Sequence, residues 1–326
     1  MAAASSRISS PGLLIAAHCA LLLALAGAAA HGRGHAPSGG GVALSSAFYD
    51  ESCPSAHDVA RRVIQDARVS DPRLPASLVR LHFHDCFANG CDGSLLLDDD
   101  NPAIQSEKHV PGNDKSARGF EVVDDIKSAL EKACPGIVSC ADILALAAEI
   151  SVELAGGPRW KVLLGRRDAT TTNIESASNL PSPFDTLDKL QEKFRNFNLD
   201  DTDLVALQGA HTFGKVHCQF TQQNCTAGQS RGRGALENLD QVTPKVFDNK
   251  YYNNLLKGRA QLRSDQVMLS EPSAAATTAP IVHRFARNQR DFFRNFAASM
   301  IKMGNISPLT GKDGEIRNNC RRVNKR

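Results

Sequence analysis

Eight cysteines distributed over most of the chain constrain its fold more than any other feature. The sequence of 326 residues contains nine Cys, of which Cys19 lies in an apolar N-terminal stretch. The other eight form an even set, which is typical of disulfides made in an oxidising compartment. They are Cys53, Cys86, Cys91, Cys134, Cys140, Cys218, Cys225 and Cys320. Eight cysteines can pair in many ways, so the residues alone leave the pairing open. A zinc site is the weaker interpretation, because no Cys-x-x-Cys or Cys-x-x-His pair with zinc-ligand spacing occurs.

The N-terminus is typical of a secretory signal peptide over residues 1–30. Arg7 supplies the positive charge, Leu13 to Leu25 form the apolar core, and Ala28 to Ala30 supply a small-residue cleavage site. A membrane anchor is the alternative, but the apolar core is short and no basic stop-transfer segment follows it. We therefore expect a secreted, extracellular protein that has no contact with a membrane after signal cleavage.

Length and charge set further limits. The chain is long enough for one large domain, which we expect at residues 44–326 after a flexible segment at residues 31–43. The formal net charge is only +3, and no basic run with interleaved aromatic residues occurs. Nucleic acid is therefore not an indicated partner.

Apolar residues recur at helical spacing in several segments, and this pattern predicts a mainly α fold. Residues 122–133 and 187–197 each present one apolar face, with Asp185 as the expected N-cap of the second helix. Residues 141–150 are nearly all apolar, which is typical of a central, buried helix. Residues 162–164 favour a short strand, and little else in the sequence favours β structure.

Arg80 and His84 are separated by one helical turn, so a helix places both side chains on one face. This pair suits cleavage of a peroxide O–O bond, which needs a base to move the proton and a fixed cation to stabilise the developing charge. Two surface residues are the alternative interpretation, but the intervening Leu81 and Phe83 favour burial. His82 points to a different helix face from His84, so we interpret it as a structural histidine.

A second histidine, His211, follows the apolar residues 204–207 and stands in Gly209-Ala-His-Thr-Phe-Gly214. This position is typical of a buried metal ligand at a helix end. Together, His84 and His211 would form the two faces of a haem pocket.

From Phe48 to Asn324 the sequence resembles the secretory plant haem peroxidases, class III of the plant peroxidase superfamily. The resemblance rests on Arg80-Leu-His-Phe-His-Asp-Cys86, on the block around His211, and on eight matching cysteines. It implies a mainly α, two-lobed haem-peroxidase fold with one haem b between the lobes. It also implies a monomeric enzyme that reduces hydrogen peroxide and oxidises small phenolic donors in one-electron steps.

The resemblance also implies roles for single residues. His84 would be the distal acid/base, Arg80 would stabilise charge across the O–O bond, and Asn113 would hydrogen-bond His84 and keep it basic. His211 would be the axial ligand of the haem iron. Asp265 would accept the other ring N–H of His211, which gives this imidazole anionic character.

Two calcium sites are implied in the same way, each made of hard oxygen ligands. The first set comprises Asp85, Asp92 and Ser94 with the carbonyls of Ala88 and Gly90, and Glu107 joins through water. The second set comprises Thr212, Asp240, Thr243 and Asp248 with the carbonyl of Val246. Without the resemblance, solvated acidic loops would be the better interpretation of both sets.

The resemblance further implies the disulfides Cys53–Cys134, Cys86–Cys91, Cys140–Cys320 and Cys218–Cys225. The chain departs from the family between the last two cysteines, where only residues 219–224 remain of a usually longer stretch. This departure leaves the shape of the haem-edge channel open.

The resemblance assigns Pro181 to that edge, with its carbonyl in contact with phenolic donors. Phe184 and Phe220 are candidates for the aromatic walls, with plain core packing as the alternative. Asn224 and Asn305 each begin a glycosylation sequon.

Two other classes of function remain as alternatives. One is a secreted calcium-binding module, stapled by disulfides, that has lost haem. The other is a zinc hydrolase built on His82 and His84. A haem absorption spectrum separates the first from a peroxidase, and metal analysis tests the second.

Overall fold

The computed structural model describes residues 43–99, 102, 104–222 and 235–325. All of these residues belong to one compact unit, Gly40–Arg326. The expected signal peptide, residues 1–30, and residues 31–42 of the expected flexible segment lie outside the described residues. Within the described ranges, no helix combines the length and the apolar character needed to cross a bilayer.

Helices dominate the described residues, as the sequence predicts. The α-helices are α1 Ala56–Ser70, α2 Leu74–Ala88, α3 Phe120–Ala133, α4 Cys140–Leu154, α5 Ile174–Ser178, α6 Leu187–Arg195, α7 Asp201–Gln208, α8 Lys250–Leu256, α9 Arg263–Ser270, α10 Ala279–Arg287 and α11 Gln289–Gly304. Short 3₁₀ helices lie at Ser94–Leu96, Glu107–His109, Gly209–Thr212, Cys218–Phe220 and Pro272–Ala276. The described sheet has two antiparallel strands, β1 Lys215–His217 and β2 Leu236–Asn238, with Val216 opposite Glu237.

Two local predictions differ from the structure. The N-cap of α6 is Thr186, whose hydroxyl accepts a hydrogen bond from the Lys189 N–H, and not Asp185. The Asp185 carboxylate instead pairs with Lys193 at 2.8 Å. Residues 162–164 form no strand, because only Leu164 pairs, in an isolated bridge with Ser45.

Two large hydrophobic cores contain most of the described buried apolar residues and give the fold its two lobes. A third cluster has only three buried residues. The first core lies among α1, α3 and most of α4, and the second lies among α6 to α11. Helix α2 contributes to both: Leu78 and Leu81 belong to the first core, whereas Val79 and Phe87 belong to the second. A helix that is apolar on opposite sides must be enclosed by protein, so α2 is fixed between the cores.

The start of α4 is fixed by buried carboxylates. The Ser139 hydroxyl caps the helix, and Asp168 accepts hydrogen bonds from the N–H groups of Cys140 and Ala141, at 3.1 and 2.9 Å. Asp142 is fully buried and pairs with Arg166 at 2.8 Å. The ion pair with Arg166 compensates the buried charge of Asp142 in an otherwise apolar helix.

Disulfides join the helices to each other and to the C-terminus. Among the described residues the pairs are Cys53–Cys134, Cys86–Cys91 and Cys140–Cys320. They correspond to three of the four pairs that the resemblance implies. Cys218 is also disulfide-bonded, and its expected partner, Cys225, lies outside the described residues.

Candidate active site

Helix α2 presents Arg80 and His84 side by side, as their spacing predicts. The helix begins with Leu74 and Pro75, where a proline ring fits the first turn. One turn of helix then separates the two polar side chains, and Arg80 Nε donates a hydrogen bond to His84 Nε2 at 3.1 Å. A guanidinium N–H can only donate. Nε2 of His84 therefore carries a lone pair.

Asn113 fixes the opposite nitrogen of His84. The Asn113 side chain is buried, and its amide donates to the carbonyl of Glu107 at 2.9 Å, which leaves Oδ1 as the acceptor for His84 Nδ1–H. Burial and the neighbouring Arg80 hold the pKa of His84 well below its usual range, although the hydrogen bond to Asn113 opposes this shift. His84 is therefore a neutral imidazole with its basic nitrogen on the Arg80 side.

The guanidinium of Arg80 is held by more than His84. Its terminal nitrogens donate to the carbonyls of Ser116 and Gly112, at 2.9 and 2.8 Å. Burial lowers the pKa of Arg80 to about 10, which leaves the side chain positively charged at neutral pH. No pattern in the sequence marks Ser116 and Gly112 as anchors, because a backbone carbonyl accepts whatever the side chain is.

His211 lies on the second side of the site, in the 3₁₀ turn Gly209–Thr212 that continues α7. Helix α7 begins with a capping box of Asp200 and Asp203. Gly209 permits the turn to pack closely, since a Cβ at this position would clash with Phe292 and with the hydroxyl of Tyr252. About a third of the His211 side chain is exposed (33 %).

Asp265 accepts the hydrogen bond from His211 Nδ1 at 2.8 Å. The Asp265 side chain is only 2 % exposed and sits at the start of α9. The same oxygen, Oδ1, also accepts a hydrogen bond from the hydroxyl of Tyr251 at 2.9 Å. Burial and Asp265 raise the pKa of Tyr251 well above its usual range, so this hydroxyl remains a donor. No motif in the sequence marks Tyr251 as part of the site.

Several contacts bring the two sides of the site together. Gly214, three residues after His211, packs against Ala76 of α2, where a Cβ on Gly214 would lie 2.7 Å from that of Ala76. The Leu180 side chain lies 3.6 Å from where a Cβ on Gly112 would stand, beside Asn113. The carbonyl of Pro183 accepts a hydrogen bond from the Ser264 N–H at 3.1 Å, beside Asp265.

The first expected calcium set is buried at the end of α2. Asp85 and Ser94 are fully buried and Asp92 is nearly so. Oxygens of Asp85, Ser94 and Glu107 are buried without a hydrogen-bond partner. Burial, with the charge of Asp92 as a lesser cause, raises the pKa of Asp85 well above its usual range. Such a set of orphaned oxygens suits a hard cation.

Two other members of this set, Ala88 and Gly90, are expected to contribute carbonyls. Ala88 is buried at the last position of α2. Gly90 has φ of +124° and lies against the carbonyl of Ser307, 2.5 Å from where a Cβ would stand. Only glycine fits both conditions.

The second expected set lies beside His211. The hydroxyl of Thr212 donates to Asp248 Oδ1 at 3.3 Å, and both side chains are buried. Asp240 Oδ2 and Thr243 Oγ1 are buried without a hydrogen-bond partner. Within the described ranges no three His, Cys, Asp or Glu side chains converge on one point. Any ion at either place would therefore depend on hydroxyl and carbonyl oxygens as well as carboxylates.

Comparison with known proteins shows to which family the chain belongs. A family model described as peroxidase matches residues 58–288. The chain belongs to the peroxidase family. Peroxidase 2 of Cucumis sativus is 52 % identical over 295 residues, which cover 85 % of this chain and all of that protein. Peroxidase C2 of Armoracia rusticana is 48 % identical over 306 residues, 86 % of this chain and 88 % of that protein. The lignin-forming anionic peroxidase of Nicotiana tabacum is 48 % identical over 307 residues, 86 % of this chain and 93 % of that protein.

The family membership makes this peroxidase an oxidoreductase and implies a haem cofactor. Its Pro181 is half-buried between Leu180, which reaches Gly112, and Pro183, which bonds to α9. Phe184 is 56 % exposed, which rules out plain core packing for that ring. Phe184 contacts Phe220 with ring centroids 6.1 Å apart.

His82 of the peroxidase points away from His84, as the helix geometry predicts. It is buried, with Nδ1 3.6 Å from the Cys86 sulfur. Burial and the nearby Arg166 lower the pKa of His82 to about 3. Among the described residues no group of three His, Cys, Asp or Glu suited to a metal ion includes His82, so a structural histidine is the better interpretation. Of the two sequons, Asn305 is exposed at the end of α11, and Asn224 lies outside the described residues.

Proposed function

We propose that this chain is a secreted haem b peroxidase that reduces hydrogen peroxide in one two-electron step and oxidises two phenolic molecules in one-electron steps. The observation that carries the proposal is the hydrogen-bonded chain of Arg80, His84 and Asn113 on and beside α2. It presents a neutral base next to a fixed cation. That combination is what heterolysis of a peroxide bond requires.

The residues on the second side fit a single haem. His211 has Nδ1 engaged by Asp265, so Nε2 is the nitrogen left to bind iron. Its partial exposure is consistent with a face turned towards a cofactor rather than into the core. When bound, the haem supplies an iron centre that accepts the oxidising equivalents of peroxide and passes them on one at a time.

The distal residues would move the protons. His84 Nε2 would take a proton from one peroxide oxygen and return it to the other, which leaves as water. Arg80 would stabilise the negative charge that develops as the O–O bond breaks. Asn113 would hold Nδ1–H, so that proton exchange is confined to Nε2. Over a full cycle, one peroxide and two phenols yield two waters and two phenoxyl radicals.

On the second side of the site, Asp265 would accept the Nδ1–H of His211 and give the imidazole anionic character. That character stabilises electron-poor iron and distinguishes a peroxidase from an oxygen carrier. We assign Asp265 this role because its carboxylate is buried, which strengthens the hydrogen bond.

The donor site that we propose lies at Pro181, with Phe184 and Phe220 as its aromatic walls. Its support is the position of residues 180–183 between the Asn113 loop and α9. An aromatic pair of which Phe184 is exposed and Phe220 is half-buried suits stacking of a small phenolic ring. We propose that the enzyme that oxidises these donors is a monomer.

We further propose two calcium ions. The first would be bound by Asp85, Asp92, Ser94 and the carbonyls of Ala88 and Gly90, and the second by Thr212, Asp240, Thr243 and Asp248. The support is the orphaned buried oxygens in each set. Asp85 and Thr212 directly follow His84 and His211, so the ions would hold the helix ends that orient these histidines.

The proposed organisation is a signal peptide at residues 1–30, a flexible segment at 31–43 and the peroxidase domain at 44–326. Secretion fits the disulfides, which form in oxidising compartments. It also fits the apolar core and small-residue cleavage site of the N-terminus.

A spectrum together with an assay on a panel of phenols tests the proposed function. We expect purified enzyme to show a strong haem Soret band with a single haem per chain, and to oxidise phenols only when peroxide is present. A protein with bound calcium but no haem band would contradict the proposal and favour a calcium-binding module. Stoichiometric zinc would favour a hydrolase instead.

A further inference from the structure

One carboxylate oxygen in the site receives two donors. Asp265 Oδ1 accepts from His211 Nδ1 at 2.8 Å and from the Tyr251 hydroxyl at 2.9 Å. Tyr251 is 2 % exposed and lies on α8, which follows the proposed second calcium set along the chain. Its ring also meets that of His211 edge-on, with centroids 6.3 Å apart. Tyr251 is thus fixed against both members of the His–Asp pair.

A carboxylate oxygen with two donors is a weaker base than one with a single donor, because the second hydrogen bond already stabilises its negative charge. In this site the second donor competes for the electron density that attracts the Nδ1 proton of His211. Removing the Tyr251 hydroxyl would leave all of that density to His211. Burial of the carboxylate makes the effect larger than it would be in water.

We propose that Tyr251 is a positioning residue that limits the strength of the His211–Asp265 hydrogen bond and so raises the reduction potential of the iron that His211 holds. The inference rests on the proposed function, in which His211 is the axial ligand. A less anionic imidazole donates less charge to iron, which favours the ferrous state. Tyr251 therefore opposes Asp265, and the balance between the two sets the potential.

The next residue provides a matched control. Tyr252 lies on the same helix and is fully buried, but its hydroxyl donates to the carbonyl of Val205 at 2.9 Å and not to Asp265. Tyr251→Phe and Tyr252→Phe therefore remove the same atom from neighbouring buried rings. A purely structural role for either hydroxyl would affect unfolding, but it would not shift the iron potential in one variant alone.

The test is a spectroelectrochemical titration of the ferric/ferrous couple in the haem-loaded enzyme. We expect Tyr251→Phe to shift the potential to more negative values, Asp265→Asn to shift it to more positive values, and Tyr252→Phe to leave it unchanged. In an Asp265→Ala background, Tyr251→Phe should have no further effect, because the shared acceptor is gone. The unfolding midpoint of each variant serves as the control for folding.

Substitution of all tyrosines by fluorotyrosine gives a second measurement without a mutation. The chain has only three tyrosines. A more acidic phenol donates a stronger hydrogen bond, so the potential should move to more positive values, and Tyr252→Phe should leave this shift in place. This arm keeps the inference testable if Tyr251→Phe does not fold.

The two assignments fail in different ways. If Asp265→Asn shifts the potential but Tyr251→Phe and fluorotyrosine do not, the inference about Tyr251 is overturned and the proposed function stands. Equal shifts in Tyr251→Phe and Tyr252→Phe overturn it as well. If Asp265→Asn leaves the potential unchanged, the proposed His211–Asp265 role is wrong and the inference falls with it.

Discussion

At the scale of single residues, the direction of each hydrogen bond decides what His84 can do. Asn113 Oδ1 can only accept and Arg80 Nε can only donate, so the tautomer of His84 follows from its two neighbours. The same reasoning gives His211 a protonated Nδ1 and a free Nε2, because Asp265 is an acceptor. Each imidazole thus has one nitrogen held by protein and one available for chemistry.

His84→Leu should leave haem bound but slow the first reaction with peroxide by several orders of magnitude. The loss should exceed the ~10²–10⁴ typical of one acid/base group, because one residue serves both proton steps. Arg80→Leu should cost less, since it removes charge stabilisation but leaves the base. Stopped-flow measurement of the peroxide reaction checks both variants. A His84→Leu enzyme that reacts at the wild-type rate would show that the base is elsewhere.

The pH profile of the same step should follow the lowered pKa of His84. A base whose pKa is depressed stays neutral through the physiological range, so the rate should remain flat there and fall only at acidic pH. Arg80→Leu removes a neighbouring positive charge, so the pKa rises and the acid limb should move to higher pH. Asn113→Val removes the hydrogen bond that raises this pKa, so the limb should move to lower pH. If the acid limb of the pH–rate profile lies at the same pH in the wild type and in both variants, a group other than His84 controls the peroxide reaction.

At the scale of secondary-structure elements, one clamp holds the loop that carries Pro181. Lys193 on α6 is buried, and its Nζ donates to the carbonyl of Leu180 at 2.9 Å and to Asp185 at 2.8 Å. Asp185 also accepts from the Ser182 N–H at 2.9 Å. The helix periodicity located α6, but it could not show that Asp185 would bind a lysine two turns on instead of capping the helix. That choice depends on the path of residues 180–185.

Lys193→Met should therefore raise KM for phenolic donors several-fold and leave the peroxide step unchanged. Loss of the ammonium frees both ends of the loop, whereas Arg80 and His84 keep their own contacts. Lys189→Met is the matched control, because Lys189 lies on the same helix and forms only an exposed pair with Glu192. Steady-state kinetics with varied donor and varied peroxide separates the two effects. Identical donor KM values in both variants would argue against the clamp.

The proposed calcium ions should stabilise the helix ends that carry Asp85 and Thr212. Chelation should weaken phenol turnover gradually and reversibly, because Asp85 and Thr212 adjoin the histidines without being acid/base groups themselves. The check is a titration with a strong chelator, followed through the haem spectrum, turnover and metal content. Calcium-free enzyme with full activity, heat stability and spectrum would reduce both acidic sets to solvated loops. The haem proposal would survive that outcome.

At the scale of the whole molecule, the sequence predicted the residues of the candidate site more readily than the contacts that surround them. His84 and His211 stand in local blocks whose spacing is visible in the sequence, and the apolar periodicity located α3, α4 and α6. Tyr251 was missed because nothing local marks a hydroxyl that meets a carboxylate fourteen residues away. The division into two cores was expected only from the family resemblance, because α2 alternates between the cores within single turns and so shows no single apolar face.

The Cys140–Cys320 disulfide should contribute to the stability of the whole molecule. It closes a loop of 180 residues and ties the C-terminus to the start of α4. Replacing both cysteines by serine should lower the free energy of unfolding by about 2–5 kcal/mol, mainly by releasing the unfolded chain. Thermal or denaturant unfolding measures the loss. Replacing Cys86 and Cys91, whose disulfide closes a loop of only 5 residues, serves as the comparison and should lower the free energy of unfolding by less.

The position of α2 between two cores matters for anyone who wishes to divide this enzyme into complementing fragments. A split-enzyme reporter needs halves that each keep an intact interior until they meet. Here a cut between α2 and the later helices would give the second fragment a core without Val79 and Phe87, while the first would expose both side chains to water. Fragments made in this way should aggregate before they reassemble.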